Sequence, residues 1–229
     1  MSIDLGVLVT DVAEIDSLCD MASKLGLVGL AVVGLQSEPF KLVSKNLYVY
    51  SRVILHGKNI NSVRKQIDNV RRKAMIVSVP LRNIEVANWA AEDKRVDLLT
   101  VDSTQDERLR DTTARLASTT NTYLEIQIAP LLKSTGLNRS KILKSYRESV
   151  RTATDAGMDV VLTSGAIQSM GLRSSVALAH IGILLGMERA YADSAVSSLP
   201  ISIIEKNMKK LQPGFISNGV EIVHKGDER

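Results

Sequence analysis

Cysteine, histidine and aromatic residues are scarce in this chain, and each scarcity excludes a class of function. The single cysteine, Cys19, can form neither an intrachain disulfide nor a cysteine-based zinc site, and we expect it to be a packing residue of a helix. The three histidines lack metal-binding spacings such as His-x-His or His-Glu-x-x-His. Phe, Trp and Tyr make up 3% of the residues, so stacking on bases can contribute little to any binding of nucleic acid.

Glycine-rich phosphate loops, targeting signals and long apolar segments are missing as well. No Walker A motif occurs, and Gly26, Gly29 and Gly34 do not form the G-x-G-x-x-G dinucleotide fingerprint. The N-terminal "MSIDLGVLVT" lacks the basic and small-residue features of a signal peptide and is typical of a strand. The apolar stretch "VALAHIGILLGM" is too short to span a bilayer, so we expect a cytoplasmic protein without a membrane partner.

What is present is the composition of an ordinary globular protein with a small excess of positive charge. Of the 229 residues, 45% are hydrophobic and 24% are charged, which favours one large domain with a sizeable core. We assign this domain to residues 1–212 and expect residues 213–229 to form a polar tail that is frayed or only partly ordered. The net charge of +4 is compatible with a polyanionic partner.

Short, nearly continuous apolar runs predict seven strands that are buried on both faces of a parallel sheet. They are Ile3–Val9, Val28–Val33, Leu47–Leu55, Ala74–Val79, Val96–Val101, Tyr123–Ile128 and Asp159–Leu162. Helical patterns predict Asp11–Leu25, Ile60–Lys73, Ile84–Glu92, Asp106–Ser118, Asn138–Ala156, Arg173–Leu185, Glu188–Ser197 and Ile201–Leu211. This alternation indicates repeated βαβ units, which can close as an irregular α/β barrel or stay open as a doubly wound sheet. We favour the barrel.

The loop after the seventh predicted strand is a candidate phosphate site. The strand ends in "TSGA", which contains Ser164 and Gly165, and a helix is predicted to begin near Arg173 and Ser174. Small residues after a strand let backbone N–H groups approach an anion, and a helix N-terminus favours negative charge. The alternative is a tight turn in which Ser174 caps the helix and Arg173 lies at the surface.

The predicted helix Asn138–Ala156 carries its cations away from its apolar face. The apolar residues at helical spacing are Ile142, Tyr146, Val150 and Ala153. The cations are Lys144, Arg147 and Arg151 on another face, with Arg139 and Lys141 near the helix start. They either neutralise phosphates or form an ordinary solvated surface.

Polar residues near predicted strand ends could face the C-terminal mouth of a barrel, where the active sites of such folds lie. They are His56, Asp102 and Glu125. The two carboxylates could bind Mg²⁺ together, or each could pair with an arginine or a backbone N–H. We favour the structural role and predict no metal site. His180 lies in an apolar helix and is predicted to be at least half-buried.

An ordered set of segments resembles the protein component 3 family of archaeal ribonuclease P, whose eukaryotic relatives serve ribonuclease P and ribonuclease MRP. The segments are "VDLLTVDS", "YLEIQIAPLL", "VVLTSGA", "LRSSVALAHIGILLGM" and "AVSSLPISIIEKN". Glu125, Ser164, Gly165 and Arg173 match the family pattern, whereas the cations of the long helix match only by their place in that helix. The family commonly has proline where Ser175 stands, so the helix start is less rigidly set here.

The resemblance implies a seven-stranded barrel similar to polymerase-and-histidinol-phosphatase barrels, generally without their metal-site residues. It also implies a non-catalytic subunit that helps the catalytic RNA to remove 5′ leaders from precursor tRNA, with Mg²⁺ bound by the RNA. Further protein subunits, especially a small α/β partner, are expected. Two alternatives are a metal-dependent phosphoesterase and a small-molecule barrel enzyme that binds a phosphate at "TSGA".

Overall fold

The computed structural model describes residues 1–9, 11–33, 38–44, 47–101, 108–212, 215–217 and 220–221. The strands are β1 (Ile3–Val7), β2 (Gly29–Val32), β3 (Phe40–Ser44), β4 (Leu47–Ile54), β5 (Ile76–Pro80), β6 (Leu98–Thr100), β7 (Tyr123–Gln127), β8 (Val160–Thr163), β9 (Phe215–Ser217) and β10 (Val220–Glu221). The helices are α1 (Ile15–Lys24), α2 (Ile60–Val70), α3 (Ile84–Glu92), α4 (Asp111–Thr120), α5 (Ala129–Lys133), α6 (Gly136–Asp155), α7 (Ser175–Leu184), α8 (Arg189–Val196) and α9 (Ser198–Lys210).

Seven parallel strands form a nearly closed barrel in the order β1-β2-β4-β5-β6-β7-β8. The first and last of these strands lie side by side. The Leu8 N–H donates to the Ala166 carbonyl at 2.7 Å, and the Ser164 N–H donates to the Asp4 carboxylate at 3.2 Å. These contacts confirm the barrel over the open sheet, and all seven predicted strands are confirmed to within two residues at each end.

Four short elements differ from the sequence prediction. Strand β3 was not predicted; it pairs antiparallel with the first half of β4, where Phe40 lies opposite Tyr50. Helix α5 was also missed, because five residues are too few to show a helical period. Strands β9 and β10 were not predicted either; they pair antiparallel within the polar tail, over residues 215–217 and 220–221.

Helix α9 lies across the N-terminal ends of the barrel strands. Ile203 and Ile204 pack in one buried cluster with Ile3. The side-chain amide of Asn207 donates to the carbonyl of Met75, just before β5, at 2.9 Å. The opposite, C-terminal end of the barrel is therefore the end that remains available for a site.

Helix starts follow local hydrogen bonding. Asn83 caps α3, with its side chain accepting from the N–H of Glu85 at 2.8 Å. The predicted start of the first helix at Asp11 was wrong: that carboxylate accepts from the N–H of Ala13, two residues on, and opens a 3₁₀ turn before α1 begins. The predicted helix start at Asp106 lies outside the described residues.

Candidate functional site

A layer of buried polar side chains crosses the barrel interior. Arg52 on β4 donates from both terminal nitrogens to the two oxygens of Glu125 on β7, each at 2.6 Å. Thr100 and Thr163 donate to the same carboxylate at 2.6 and 2.9 Å, and Ser78 accepts from Arg52 at 3.1 Å. The side chains of Arg52 and Glu125 are fully buried. The layer links β4, β5, β6, β7 and β8 through one ion pair.

The ion pair keeps Glu125 charged in spite of its burial. Burial alone would raise the pKa of this carboxyl group, because a charge is poorly solvated in the interior. The positive charge of Arg52, with hydrogen bonds from Arg52, Thr100 and Thr163, outweighs that effect and lowers the pKa below its ordinary value. Glu125 is therefore a permanent counter-ion to Arg52 and is poorly suited to act as a proton donor near neutral pH.

Asp4 on β1 is a second buried carboxyl group at the seam of the barrel. Its Oδ1 accepts from the N–H groups of Gly6 and Ser164 at 3.0 and 3.2 Å, whereas its Oδ2 has no partner among the described residues. Burial raises the pKa of Asp4, and these hydrogen bonds oppose the shift only in part. The group holds β1 against the end of β8.

Sequence reasoning named Glu125 but missed both Arg52 and Asp4. The preferred reading of Glu125, a pair with an arginine, is confirmed. The available signal was a lone charge inside each apolar strand, since a buried arginine needs a buried anion. Arg52 stands alone in "LYVYSRVIL" and Glu125 in "YLEIQI".

The other polar residues that the sequence analysis named are Asp102, His56 and His180. Asp102 lies outside the described residues. His56 lines a cavity at the C-terminal mouth, as expected. His180 is exposed on α7, so the prediction that it is half-buried was wrong; its Nδ1 lies 2.7 Å from the carbonyl of Val176. Among the described residues, no group of three or more His, Cys, Asp or Glu could hold a metal ion.

Two residues of the predicted phosphate loop are enclosed by their own neighbours. Ser164 is fully buried, and its hydroxyl accepts from the N–H of Ala166 at 3.1 Å. Gly165 has a φ of +66°, and a Cβ there would lie 3.1 Å from the Cβ of Gln127 and 3.2 Å from that of Ala129. A left-handed backbone and close packing both require glycine at this position.

Arg173 and Ser174 are more accessible and lie at the start of α7. Ser174 is the N-cap, and its hydroxyl accepts from the N–H of Ala177 at 3.3 Å. One terminal nitrogen of Arg173 donates to the carbonyls of Met170 and Leu172 at 2.9 and 2.7 Å. Arg173 therefore braces the loop through carbonyls rather than through Glu125, while part of its guanidinium remains at the surface.

Helix α6 has the two faces that its sequence predicts. Tyr146, Val150 and Ala153 are buried, and the Tyr146 hydroxyl donates to the carbonyl of Gln127 at 2.8 Å. The predicted cations are all exposed; they are Arg139, Lys141, Lys144, Arg147 and Arg151. The helix therefore fastens its apolar side to the barrel and turns five cations to solvent.

Two arginines among these cations are held by neighbouring carbonyls, and Lys144 forms an ion pair with Glu148 at 3.9 Å. The Nε of Arg147 donates to the carbonyl of Leu184 at the end of α7, at 2.9 Å. The Nε of Arg139 donates to the carbonyl of Ser134 at 2.6 Å. Because each arginine contact uses a neutral acceptor, the positive charge of each arginine remains uncompensated by it.

A groove of about 670 Å³ separates the start of α4 from α6. Its lining contains Arg108 and Arg110 from the α4 side and Arg151 from the α6 side. Glu148 lies between them and forms an ion pair with Arg108. Sequence reasoning did not single out Arg108 or Arg110, because neither belongs to a periodic stripe, and only the fold brings them beside Arg151.

Comparison with known proteins decides the family. The family model described as RNase P subunit p30 matches residues 1–212. This chain belongs to that family. It is thus a protein subunit of ribonuclease P.

The relatives agree over nearly the whole chain. Ribonuclease P protein component 3 of Methanosarcina barkeri is 26% identical over 219 residues, which is 93% of this chain and 91% of the relative. The protein of the same name from Methanococcoides burtonii is 26% identical over 211 residues, 90% of this chain and 87% of the relative. A chain in a cryo-EM structure of archaeal ribonuclease P with mature tRNA has the same fold, with a TM-score of 0.80 at 20% identity. That alignment covers 99% of this chain and 100% of the other.

The described helices include none that is long and apolar enough to cross a membrane.

Proposed function

We propose that this subunit supports the catalytic RNA of ribonuclease P by neutralising RNA phosphates with the exposed cations of α6 and with Arg173. The observation that carries the proposal is the two-sided character of α6, with a buried apolar face and five exposed cations. Lysine and arginine side chains that contact phosphates release condensed counter-ions, which favours binding and makes it salt-dependent. The α4–α6 groove extends the basic surface through Arg108 and Arg110.

The reaction assigned to the complete enzyme is removal of the 5′ leader of precursor tRNA in the cytoplasm. Hydrolysis would be carried out by Mg²⁺ ions on the RNA subunit, and this chain would contribute binding and positioning. Its further partners would be other protein subunits, including a small α/β protein. The isolated chain is then expected to leave precursor tRNA intact at every Mg²⁺ concentration, and correctly placed cleavage by RNA-free protein would overturn this assignment.

The experiment is a charge reversal on α6 in the reconstituted enzyme. The triple variant Lys144→Glu, Arg147→Glu and Arg151→Glu should keep its fold, since all three residues lie away from the apolar face. Each lost phosphate contact should lower the magnitude of the log–log salt slope of RNA binding by about 0.7 to 0.9. We expect a decrease of about 2 to 3 for the triple variant.

A matched control separates local contacts from net charge. Lys24, Lys65 and Lys209 are exposed on α1, α2 and α9, and their reversal to glutamate changes the net charge by the same amount. The control should retain most of the salt slope. Equal slopes for the wild type and the α6 variant, with both proteins folded, would make the α6 cations an ordinary solvated surface.

A further inference from the structure

A cavity of about 210 Å³ opens at the C-terminal mouth of the barrel, away from α6. Arg52, Thr100 and Gln127 belong to its lining, together with His56 and Arg82 from the strand ends. An adjoining cavity of about 470 Å³ shares His56 and Arg82 with it. Barrels of this class bind their ligands at this end.

Arg52 offers this cavity one hydrogen-bond donor that the protein does not use. Its terminal nitrogens are occupied by Glu125, Ser78 and the carbonyl of Leu5. Its Nε is buried and has no acceptor among the described residues. A buried N–H without an acceptor is costly, so a ligand oxygen that accepts from it would gain more than a surface hydrogen bond provides.

The charge around the two cavities favours an anion. Their described lining contains Arg52, Lys58 and Arg82 as cations and His56 as a further donor. It contains no carboxylate, and Glu125 lies beyond the lining with both oxygens engaged by Arg52 and the neighbouring threonines. Glu125 already neutralises Arg52, so the charge that favours an anion comes from Lys58, and Arg82 and His56 add donors suited to phosphate oxygens.

We propose that the barrel mouth binds a phosphate monoester group, with one phosphate oxygen accepting from Arg52 Nε and the rest of the group facing Lys58 and Arg82. The smaller cavity takes the phosphate, and the adjoining one takes the first part of the attached molecule. The phosphate belongs either to a small free ester or to a terminal phosphate of an RNA. This site is separate from the α6 surface, so either can fail without the other.

The Arg52 Nε–H provides a direct readout in the full-length chain. Inorganic phosphate is titrated to about 50 mM at constant ionic strength, far above a Kd of about 1 mM. The Arg52 Nε–H resonance in ¹⁵N NMR should shift saturably. The absence of a saturable shift over this range would overturn the site.

Two double variants test the location. Lys58→Gln with Arg82→Gln should weaken phosphate binding by about tenfold or more, since two charged contacts are lost. Lys65→Gln with Arg72→Gln, both exposed at α2 and just after it, removes the same charge elsewhere and should leave the affinity unchanged. Equal weakening in both variants would show only diffuse electrostatic attraction, and weakening in neither would show that Lys58 and Arg82 do not contact the phosphate. Either outcome would overturn the proposal.

The source of the phosphate is decided by two further probes. Adenosine 5′-monophosphate represents a small ester, and a pair of identical RNA oligomers with a 5′-phosphate or a 5′-hydroxyl represents an RNA end. A preference for the phosphorylated oligomer that is lost in the Lys58/Arg82 variant assigns the site to RNA. Binding of the mononucleotide without that preference assigns it to a small ligand.

Discussion

Arg52 and Glu125 stand 73 residues apart in sequence and join β4 to β7 across the barrel interior through two nitrogen–oxygen contacts of 2.6 Å. Because the pair is buried, each residue stabilises the fold mainly by neutralising the charge of the other, and the net attraction between them adds little. Desolvation opposes the pairing of such charges, but removal of one partner leaves the other uncompensated.

Substitution of Glu125 should therefore destabilise the protein strongly. Glu125→Gln keeps the size of the side chain but leaves Arg52 without an anion, and we expect a loss of about 3 to 5 kcal/mol in the free energy of unfolding. Urea denaturation followed by circular dichroism measures it. The exposed Glu205→Gln on α9 is the control, with an expected change of at most about 0.5 kcal/mol. A double variant, Arg52→Met with Glu125→Leu, should be less destabilised than Glu125→Gln, and the reverse order would contradict this account.

Asp4 predicts a specific dependence of stability on pH. Because burial raises its pKa in the folded state, its contribution is fully present below its unfolded pKa and is lost as pH rises through the folded value. Asp4→Asn preserves an oxygen for Gly6 and Ser164 and removes the titration. We expect the variant to gain in stability relative to the wild type as pH rises from about 4 to 7.

The measurement is a series of urea denaturations across this pH range. Asp155→Asn is a suitable control, because Asp155 is exposed at the end of α6. If the difference between Asp4→Asn and the wild type stayed constant with pH, the carboxylate would have a purely geometric role.

The lowered pKa of Lys210 predicts that the stability of the protein depends on pH in the alkaline range. Burial lowers its pKa to about 8, although its Nζ donates to the carbonyl of Lys94 at 3.2 Å. Between pH 8 and about 10.4 the unfolded state then binds more protons, so the contribution of Lys210 to stability rises with pH. Lys210→Gln should remove part of that rise in denaturation experiments. Its exposed neighbour, changed as Lys209→Gln, should preserve the wild-type profile, and indistinguishable profiles for the two variants would refute the assignment.

Arg173 has two roles that a single variant can separate. Arg173→Ala removes the hydrogen bonds to Met170 and Leu172, which should lower the free energy of unfolding by about 1 kcal/mol. It should also weaken RNA association, if the exposed part of the guanidinium contacts phosphate as proposed. Arg173→Lys should restore binding only in part, since lysine retains the charge without the planar fork of donors.

Melting temperature and RNA affinity are to be measured together for both variants, with the exposed Arg189→Ala of α8 as control. Lower stability with wild-type affinity would leave Arg173 as a loop brace alone. Wild-type values for both quantities would rule out both roles.

Sequence reasoning succeeded where the signal is local and periodic. The apolar runs of the seven barrel strands and the two faces of α6 follow directly from residue order. The ion pair could not be predicted as a pair, because a lone Arg52 gives no indication of which distant strand supplies its anion. Ser164 and Gly165 were ambiguous for another reason: small residues serve close packing and anion binding equally well. Only the positions of Gln127 and Ala129 show how little space surrounds Gly165.

The position of α9 has a consequence for the synthesis of the chain on the ribosome. Ile203 and Ile204, which pack with Ile3 in one buried cluster, are made about 200 residues after it. At a translation rate of about 5 to 20 residues per second, this interval is roughly 10 to 40 s. Throughout that time α9 does not yet cover the N-terminal end of the barrel. A chain that stalls before α9 therefore leaves Ile3 and Tyr50 exposed to chaperones or to aggregation.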